Sequence, residues 1–378
     1  MSVLPAPVRP SAIAGHDDWP DFVARTPPHA PAAGPRARIA AALGVAAPVL
    51  PAVTEGAGAV RDGVRTTELS WQTGFGPRTR AWLLEPARRT GSGALPGVLG
   101  LHCHGGVKSV GAEQLVDLGP ASSGAALDLR HGCYGGRAPA AELARRGAVV
   151  LCHDAFAWGS RGFDLADPVP RVADAVAAAE ARWRQEGVEP TAAQRYDAAA
   201  GAHENVVATC ADLLGTTFAG TVLHDDLVAL EVLAQLPGVD PGRLGAFGFS
   251  GGGVRAALLA ALDERLRAVV VTCMMTTYAA LVPGHVDRHS RLLSEQALRR
   301  TCEWPDVLRA AEGTAVLVQY GRHDELFPAE GMLAADERLR TTIGQRYTGS
   351  WFDGPHRFGP AEQDEAFGFL LRQAGAAA

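Results

Sequence analysis

Residues 244–253 constrain the fold more than any other stretch, because they combine an apolar run, a glycine-rich turn and the start of a helix-compatible segment. Ser250 lies at the centre of the turn, within the sequence Gly-Phe-Ser-Gly-Gly. Glycines two positions before and two positions after such a serine avoid collisions with the adjoining strand and helix. The stretch therefore predicts a nucleophile elbow, and the alternative is a glycine-rich turn around a buried structural serine.

A serine nucleophile needs a general base, and the base needs a carboxylate that holds its tautomer. Asp324 follows a strand-like run at 314–320, and His356 follows the last strand-like run of the chain. This is the order of serine, acid and histidine that accompanies such an elbow. We therefore predict Ser250, Asp324 and His356 as the catalytic residues. Three neighbours are rivals for the acid and the base but fit less well: Glu325, Asp353 and His323.

The negatively charged oxygen of a tetrahedral intermediate requires N–H donors that are already in place. The amide of Gly251 is the first candidate, because it follows the serine at the N-terminus of a predicted helix. The second candidate is the amide of His104 or of Gly105, in the loop after a strand-like run at 95–101. The alternative for this loop is a His-Gly-Gly turn without a catalytic role.

The pattern of apolar residues predicts an α/β fold. Apolar and polar residues alternate on both sides of a glycine turn within residues 64–85, which is typical of an antiparallel strand pair. From residue 95 onward, strand-like runs alternate with helical patterns, as in parallel β-α-β units. We therefore expect a mostly parallel, doubly wound sheet, in one large domain or in two ordinary ones.

Residues 1–55 and 56–378 differ in composition, which predicts an N-terminal arm followed by the main domain. The arm is rich in Pro and Ala and has one short helical pattern, at 37–43, so we expect it to lie over a domain surface, partly ordered at best. About 90 residues separate two of the predicted strands, more than one crossover helix needs. The excess predicts helical insertions over the active site at about 155–222 and 276–304.

Charge and hydropathy limit the classes of partner that we expect for this chain. The formal net charge of −6 over 378 residues gives no reason to expect nucleic acid or an anionic membrane as a partner. Neither a leader with a basic and an apolar region nor a run of about 18 apolar residues is visible. We therefore expect a cytoplasmic protein that acts on a small molecule, and the sequence leaves its oligomeric state open.

The cysteines and the histidines near strand ends raise the question of a metal site. Six cysteines are scattered without a C-x-x-C pair, which predicts free thiols. His102 and His104 share one face of an extended segment and could chelate, but no further ligands recur with the spacing of a zinc site. We therefore expect neither a metal nor another cofactor.

Four motifs of the chain resemble those of the α/β-hydrolase superfamily, and more narrowly of its bacterial dienelactone-hydrolase-like and acetyl xylan esterase-like branch. They are the elbow at 248–252, Leu-His-Cys-His-Gly-Gly at 101–106, Tyr-Gly-Arg-His-Asp-Glu-Leu-Phe-Pro at 320–328 and Asp-Gly-Pro-His-Arg-Phe at 353–358. The resemblance covers about residues 60–375 and implies the fold of that superfamily and a serine hydrolase. Cys103 departs from the superfamily pattern, in which glycine follows the histidine, and this leaves open whether His104 or Gly105 completes the oxyanion site.

Aromatic and polar residues of the two insertions are the predicted substrate contacts. They are Phe156, Trp158, Tyr278, Arg288 and His289, and the second helix of the first insertion also carries His203 and Glu204. These polar groups favour a short-acyl ester with a polar or anionic portion, although they could instead form a solvated loop surface. A lactone, thioester or C–C bond hydrolase with the same triad is the alternative activity, and a non-catalytic binding protein is the alternative from another class.

Overall fold

The computed structural model describes residues 10–26, 34–89, 91 and 93–374. In this part of the chain, strands assemble into one nine-stranded sheet in the order β1-β2-β3-β5-β4-β6-β7-β8-β9. The strands are β1 Thr54–Arg61, β2 Val64–Trp71, β3 Thr79–Pro86, β4 Leu95–Leu101, β5 Val149–His153, β6 Val239–Phe249, β7 Leu266–Thr272, β8 Ala315–Gly321 and β9 Tyr347–Phe352.

The sheet is antiparallel at one edge and parallel elsewhere. β1, β2 and β3 pair antiparallel in sequence, and β3 pairs antiparallel with β5. The remaining pairs, from β5 through β4 to β9, are all parallel. The predicted antiparallel pair and the mostly parallel, doubly wound sheet are thus confirmed.

Helices connect the parallel strands and cover the sheet. They are α1 Trp19–Arg25, α2 Pro35–Leu43, α3 Gly124–Tyr134, α4 Pro139–Arg145, α5 Pro170–Glu186, α6 Ala192–Leu214, α7 Phe218–Gln235, α8 Gly251–Leu262, α9 Tyr278–Leu281, α10 Gln296–Thr301, α11 Ala329–Ile343 and α12 Pro360–Gln373. Local sequence fixes several of their ends. For example, Thr191 and Gln194 form a reciprocal capping box at the start of α6.

The two faces of the sheet pack into two apolar clusters, because successive strand side chains point to opposite sides. In β4, Val98 belongs to one cluster and Leu99 to the other, and both are buried. Helix α7 is buried along most of its length, as is α8 directly after Ser250. The carboxyl ends of β6 and β8 therefore rest on a rigid core, and the loops that follow them carry the candidate site.

The sequence did not predict strand β1. All of its side chains are exposed, and its sequence Thr-Glu-Gly-Ala-Gly-Ala-Val-Arg has no alternation of apolar and polar residues. Glycine and alanine also disfavour strands. Strand β1 forms because its backbone pairs with β2, an interaction that side-chain patterns do not reveal.

The N-terminal arm is more firmly packed than its composition predicted. Trp19 of α1 is fully buried against Phe75 and Phe156, with ring centroids 5.9 and 4.9 Å away. The carbonyl oxygen of Leu43 in α2 accepts a hydrogen bond from Thr217 Oγ1 at 2.8 Å. Pro and Ala dominate the composition of the arm and hide these few anchors. Residues 1–9 and 27–33 of the predicted arm lie outside the described residues.

The predicted insertions correspond to α5 and α6 after β5 and to the segment with α9 and α10 after β7. The division into arm, domain and insertions stays a prediction. All six cysteines are free, as expected. Among the described helices, none alone is long and apolar enough to cross a membrane; α6 and α7 meet that criterion only when taken together, across a bend of 84°.

Candidate active site

Ser250 lies on a sharp turn between β6 and α8, in a backbone conformation that residues other than glycine rarely adopt. Its φ is 54° and its ψ is −125°, and its amide donates to the Thr272 carbonyl oxygen at 3.0 Å. A Cβ on Gly248 would overlap the Gly252 carbonyl, and a Cβ on Gly252 would overlap the Leu101 carbonyl. The turn therefore requires both glycines, and it presents the serine side chain above the sheet.

His356 and Asp324 form a hydrogen-bonded pair in the loops after β9 and β8. Nδ1 of His356 donates to Oδ2 of Asp324 at 2.7 Å. The Asp324 side chain is fully buried, and its other oxygen accepts from the Leu326 amide at 2.9 Å. Because Nδ1 carries the proton, Nε2 of the neutral ring is a free acceptor, and no described residue bonds to it.

The rivals for acid and base lie elsewhere. His323 bonds to Asp353 at 2.6 Å, and both side chains are largely exposed, at 69% and 83%. Glu325 is exposed as well. The structure thus brings Asp324, and none of the three rivals, to His356.

A cavity of about 470 Å³ joins the predicted nucleophile and the predicted base. Ser250 and His356 both line it, together with Gly251 and His104. The segment 287–291 of the second insertion closes another side. The sequence-predicted serine, base and oxyanion donors therefore share one enclosure at the carboxyl end of the parallel strands, where ligands bind in sheets of this kind.

The backbone of His104 lies directly against the start of α8. A Cβ on Gly251 would lie 2.9 Å from the His104 amide nitrogen, so the two amides are neighbours. Neither amide donates to a protein acceptor within the described residues. Gly105 also lines the cavity, but it adopts a positive φ of 63°, and a Cβ added there would meet Leu129 and Cys103 rather than α8. This arrangement favours His104 over Gly105 as the second donor.

Three predicted substrate contacts lie outside this cavity and must be corrected. Phe156 and Trp158 are almost completely buried, at 0% and 1% exposure, in the apolar core beneath the loops. Tyr278 lines a separate apolar pocket beside α9 and α10. Aromatic side chains directly after β5 serve the core here, because the arm and α6 cover that part of the first insertion.

Arg288 and His289, in contrast, do line the cavity. His289 is fixed by a hydrogen bond from Nε2 to the Leu326 carbonyl at 3.0 Å and by contact with Phe327. The Arg288 guanidinium has no hydrogen-bond or ion-pair partner within the described residues. It can therefore serve as a donor to a bound molecule.

Helix α6 contributes Glu204 to the cavity, whereas its neighbour His203 points away and bonds to the Ala12 carbonyl of the arm at 2.8 Å. Sequence reasoning missed Lys108 and Asp197, the partners that bind α6 to the loop after β4. A lysine among Gly, Val and Ser residues was the available signal. The sequence could not identify Glu204 as the buried partner of Lys108, because these two residues are far apart in the chain.

Cys273, Asp324 and His356 bring potential metal-ligand atoms within 4.8 Å of one another. This cluster coincides with the His356–Asp324 pair. Nδ1 of His356 is engaged by the carboxylate there, and burial, followed by the charge of Asp324, raises the pKa of the Cys273 thiol well above its usual range. A protonated thiol and an occupied imidazole nitrogen are poor ligands, so the donor set fits an acid–base pair better than a metal.

Comparison with known proteins gives limited sequence similarity. No family model matches the chain. YtaP of Bacillus subtilis (strain 168), whose name assigns it provisionally to the hydrolases, is 30% identical over 128 residues. That match covers 34% of this chain and 43% of YtaP, less than half the length of the relative.

Solved structures are similar in fold over most of the chain. Acetyl xylan esterase from Paenibacillus sp. R4 matches with a TM-score of 0.52 and 14% identity, covering 96% of both chains. Methylesterase BT1017 matches with a TM-score of 0.54 and 16% identity, covering 89% of this chain and 61% of its own, so this chain spans less than two thirds of it. The chain thus has the α/β-hydrolase fold, as the motifs implied. The resemblance to dienelactone hydrolases stays a prediction.

Proposed function

We propose that this α/β-hydrolase-fold chain is a serine hydrolase that cleaves a carboxylic ester through an acyl-enzyme on Ser250. One observation carries the proposal: a serine in a strained elbow shares a cavity with a histidine whose Nδ1 is held by a buried carboxylate at 2.7 Å. Such a unit is the arrangement that activates a hydroxyl near neutral pH. The names of the similar structures describe esterases, which supports an ester as the substrate.

The first half of the reaction forms the acyl-enzyme. Nε2 of His356 takes the proton of the Ser250 hydroxyl while Oγ attacks the ester carbonyl carbon. The carbonyl oxygen becomes negatively charged and accepts hydrogen bonds from the Gly251 and His104 amides. The tetrahedral intermediate then expels the alcohol oxygen, which receives the proton from His356.

The second half regenerates the serine. A water molecule gives a proton to Nε2 of His356 and attacks the acyl carbon, and the same two amides stabilise the second oxyanion. Collapse breaks the bond to Ser250 Oγ, which recovers its proton from His356. The carboxylic acid leaves. Asp324 keeps its charge throughout and stabilises the imidazolium that forms in each half.

The cavity favours a small acyl group and a polar remainder of the substrate. The aromatic walls expected from Phe156 and Trp158 are absent from its lining, and Arg288, His289 and Glu204 take their place. The free guanidinium of Arg288 in a cavity of about 470 Å³, which apolar side chains such as Phe327 also line, suits a small acyl group and a hydroxyl or anionic portion better than a long alkyl chain.

Covalent labelling tests the nucleophile. Wild-type protein should gain the mass of one phosphonyl group on treatment with a fluorophosphonate, whereas Ser250→Ala should remain unlabelled. Hydrolysis should fall by several orders of magnitude in the variant, as when one member of such a unit is removed. Labelling of the variant at the wild-type rate would contradict the assignment.

A substrate panel tests the bond that is cleaved and the acyl size. Nitrophenyl esters from acetyl to dodecanoyl, a lactone and an acyl thioester are compared by kcat/KM. We expect a maximum between acetyl and butanoyl. A maximum at octanoyl or longer would contradict the small acyl site, and a faster lactone or thioester would replace the ester as the substrate class.

A further inference from the structure

Two carboxylates on one face of α6 hold the loop that follows β4. Asp197 accepts hydrogen bonds from the amides of Lys108 and Ser109 at 2.8 and 2.7 Å, and from Ser109 Oγ at 2.9 Å. Glu204, about two turns further along α6, lies above the start of the same loop. The first insertion therefore fixes the loop at two points.

Glu204 forms a largely buried polar cluster with Lys108 and His104. Its Oε2 lies 2.7 Å from Lys108 Nζ and 2.8 Å from His104 Nε2. Lys108 is 2% exposed, and its ammonium lies over the Trp158 ring at 3.4 Å from the centroid. Burial alone would raise the pKa of Glu204, but the Lys108 ammonium and the hydrogen bond from His104 outweigh it and hold that pKa well below its usual range. The carboxylate is therefore charged at neutral pH.

Both ring nitrogens and the carbonyl oxygen of His104 are hydrogen-bonded within the protein. Nδ1 accepts a hydrogen bond from the Gly106 amide at 3.2 Å, so the proton is on Nε2 and is donated to Glu204. Its carbonyl oxygen accepts from the Val107 amide at 3.3 Å and from Trp158 Nε1 at 3.4 Å. Neither ring nitrogen is free to reach a substrate. The amide nitrogen remains, and it faces Gly251.

The other oxygen of Glu204 reaches the second insertion. Oε1 accepts a hydrogen bond from the Arg291 amide at 3.0 Å. Arg291 belongs to the segment 287–291 that closes one side of the cavity. A single carboxylate thus joins the loop after β4, helix α6 and the segment that carries Arg288.

From this polar cluster we infer that Glu204 is a positioning residue for the oxyanion hole. Its Oε2 accepts the hydrogen bond that orients the His104 ring, the ring and the Gly106 amide orient the His104 backbone, and the His104 amide is thereby aimed beside that of Gly251. Lys108 is the counter-charge that makes a buried carboxylate tolerable at this place. The inference rests on the proposed function, since it assigns the geometry of that reaction's oxyanion site.

The test must separate loss of oxyanion stabilisation from loss of fold. Glu204→Ala alone would leave Lys108 as an unpaired buried cation, which is strongly destabilising. The informative variant is therefore Glu204→Ala/Lys108→Met, which removes both charges. Glu204→Gln/Lys108→Met restores a neutral acceptor for His104, and Glu189→Gln, at an 89% exposed side chain of the same insertion, is the matched control.

The readout is the ratio of kcat/KM for an aryl ester to that for its thionoester, in which sulfur replaces the carbonyl oxygen. Sulfur is larger and a weaker hydrogen-bond acceptor, so a well-placed pair of amides favours the oxygen compound. We expect the Ala/Met variant to lose roughly 10- to 100-fold in kcat for the ester, a fraction of what removal of one oxyanion donor costs. Its KM for the ester should change little. Its rate for the thionoester should decrease much less than its rate for the ester, so the ratio of ester to thionoester kcat/KM should fall.

The Gln/Met variant should recover most of the ratio, and Glu189→Gln should match the wild type. If the ratio in the Ala/Met variant equalled that of the wild type, whether or not both rates fell, Glu204 would have no role in positioning the oxyanion donors. Ser250→Ala separates this failure from that of the proposed function: loss of activity in Ser250→Ala with an unchanged ratio in the Ala/Met variant would overturn this inference alone.

Discussion

Asp324 and Glu325 are neighbours in the chain, yet the folded structure gives them different surroundings. The Asp324 side chain is fully buried against His356, whereas Glu325 faces solvent. We predict that Asp324→Asn lowers kcat by roughly 10³- to 10⁴-fold, because an amide at this place favours the wrong tautomer of His356. Glu325→Gln should leave kcat almost unchanged, because this side chain faces solvent and does not bond to His356. Steady-state kinetics of both variants are the measurement, and a reversed order of effects would reassign the acid.

Arg288 offers a second comparison at the scale of single residues. Its guanidinium lines the cavity without a protein partner in the described part of the chain. We predict that Arg288→Ala raises KM for an ester with an anionic group and leaves kcat almost unchanged, since a contact made equally in ground and transition states affects binding only. The neutral aryl acetate serves as the control substrate. Equal effects on both substrates would argue against a binding role.

The residues of the candidate site were predictable where local sequence determines geometry. Ser250 is surrounded by the glycines that its turn requires, and Asp324 and His356 each follow a strand directly. Phe156 and Trp158 show the limit, because nothing local distinguishes an aromatic wall of a cavity from a core residue. The sequence indicated Glu204 only as a polar residue on a helix of the first insertion. Its role depends on Lys108, which is remote in the chain.

At the scale of elements, the elbow depends on glycines that lie between β6, α8 and the end of β4. We predict that Gly252→Ala destabilises the protein by about 2–5 kcal/mol, because the added methyl group would overlap the Leu101 carbonyl and the backbone would have to move. The same substitution at Gly132 in α3 is the control. That site has open space around it, and we expect it to gain roughly 0.5–1 kcal/mol from helix propensity.

Denaturant unfolding of the two glycine variants gives the measurement. A stability of Gly252→Ala equal to that of the wild type would show that the elbow can relax and that the close approach is not required. The strand-like runs at 95–101 and 314–320 match β4 and β8 to within one residue at each end, because apolar runs mark buried parallel strands. Strand β1 could not be predicted, because only its pairing with β2 orders it.

At the scale of the whole molecule, the N-terminal arm is part of the core on the α7 side of the sheet. His16 and Trp19 are both fully buried there, among aromatic rings from β2–β3 and the first insertion. Composition predicted a loosely attached arm, since a few buried anchors are invisible in a Pro- and Ala-rich stretch. The arm therefore contributes to global stability, and its buried His16 makes that contribution depend on pH.

Burial, and next the charge of Arg161, lower the pKa of His16 from 6.5 to about 3. The ring nitrogens have no hydrogen-bond partner in the described structure, and His203 is a further basic neighbour. In the unfolded chain His16 takes up a proton below about pH 6.5, whereas in the folded chain it does so only near pH 3. The unfolded state binds more protons between these values. The contribution of a neutral His16 is therefore complete above pH 6.5 and is lost as the pH falls toward 3.

We predict that His16→Leu, which is close in volume, flattens the fall of stability between pH 6.5 and 4. One proton accounts for a slope of at most about 1.4 kcal/mol per pH unit, so the variant should reduce the slope by up to that amount. The free energy of unfolding, measured in denaturant at several pH values, gives the slope. His131→Leu, at an exposed position of α3, should leave it unchanged. An identical slope in His16→Leu and wild type would mean that the arm opens before His16 is protonated, and that its burial does not contribute to the global transition.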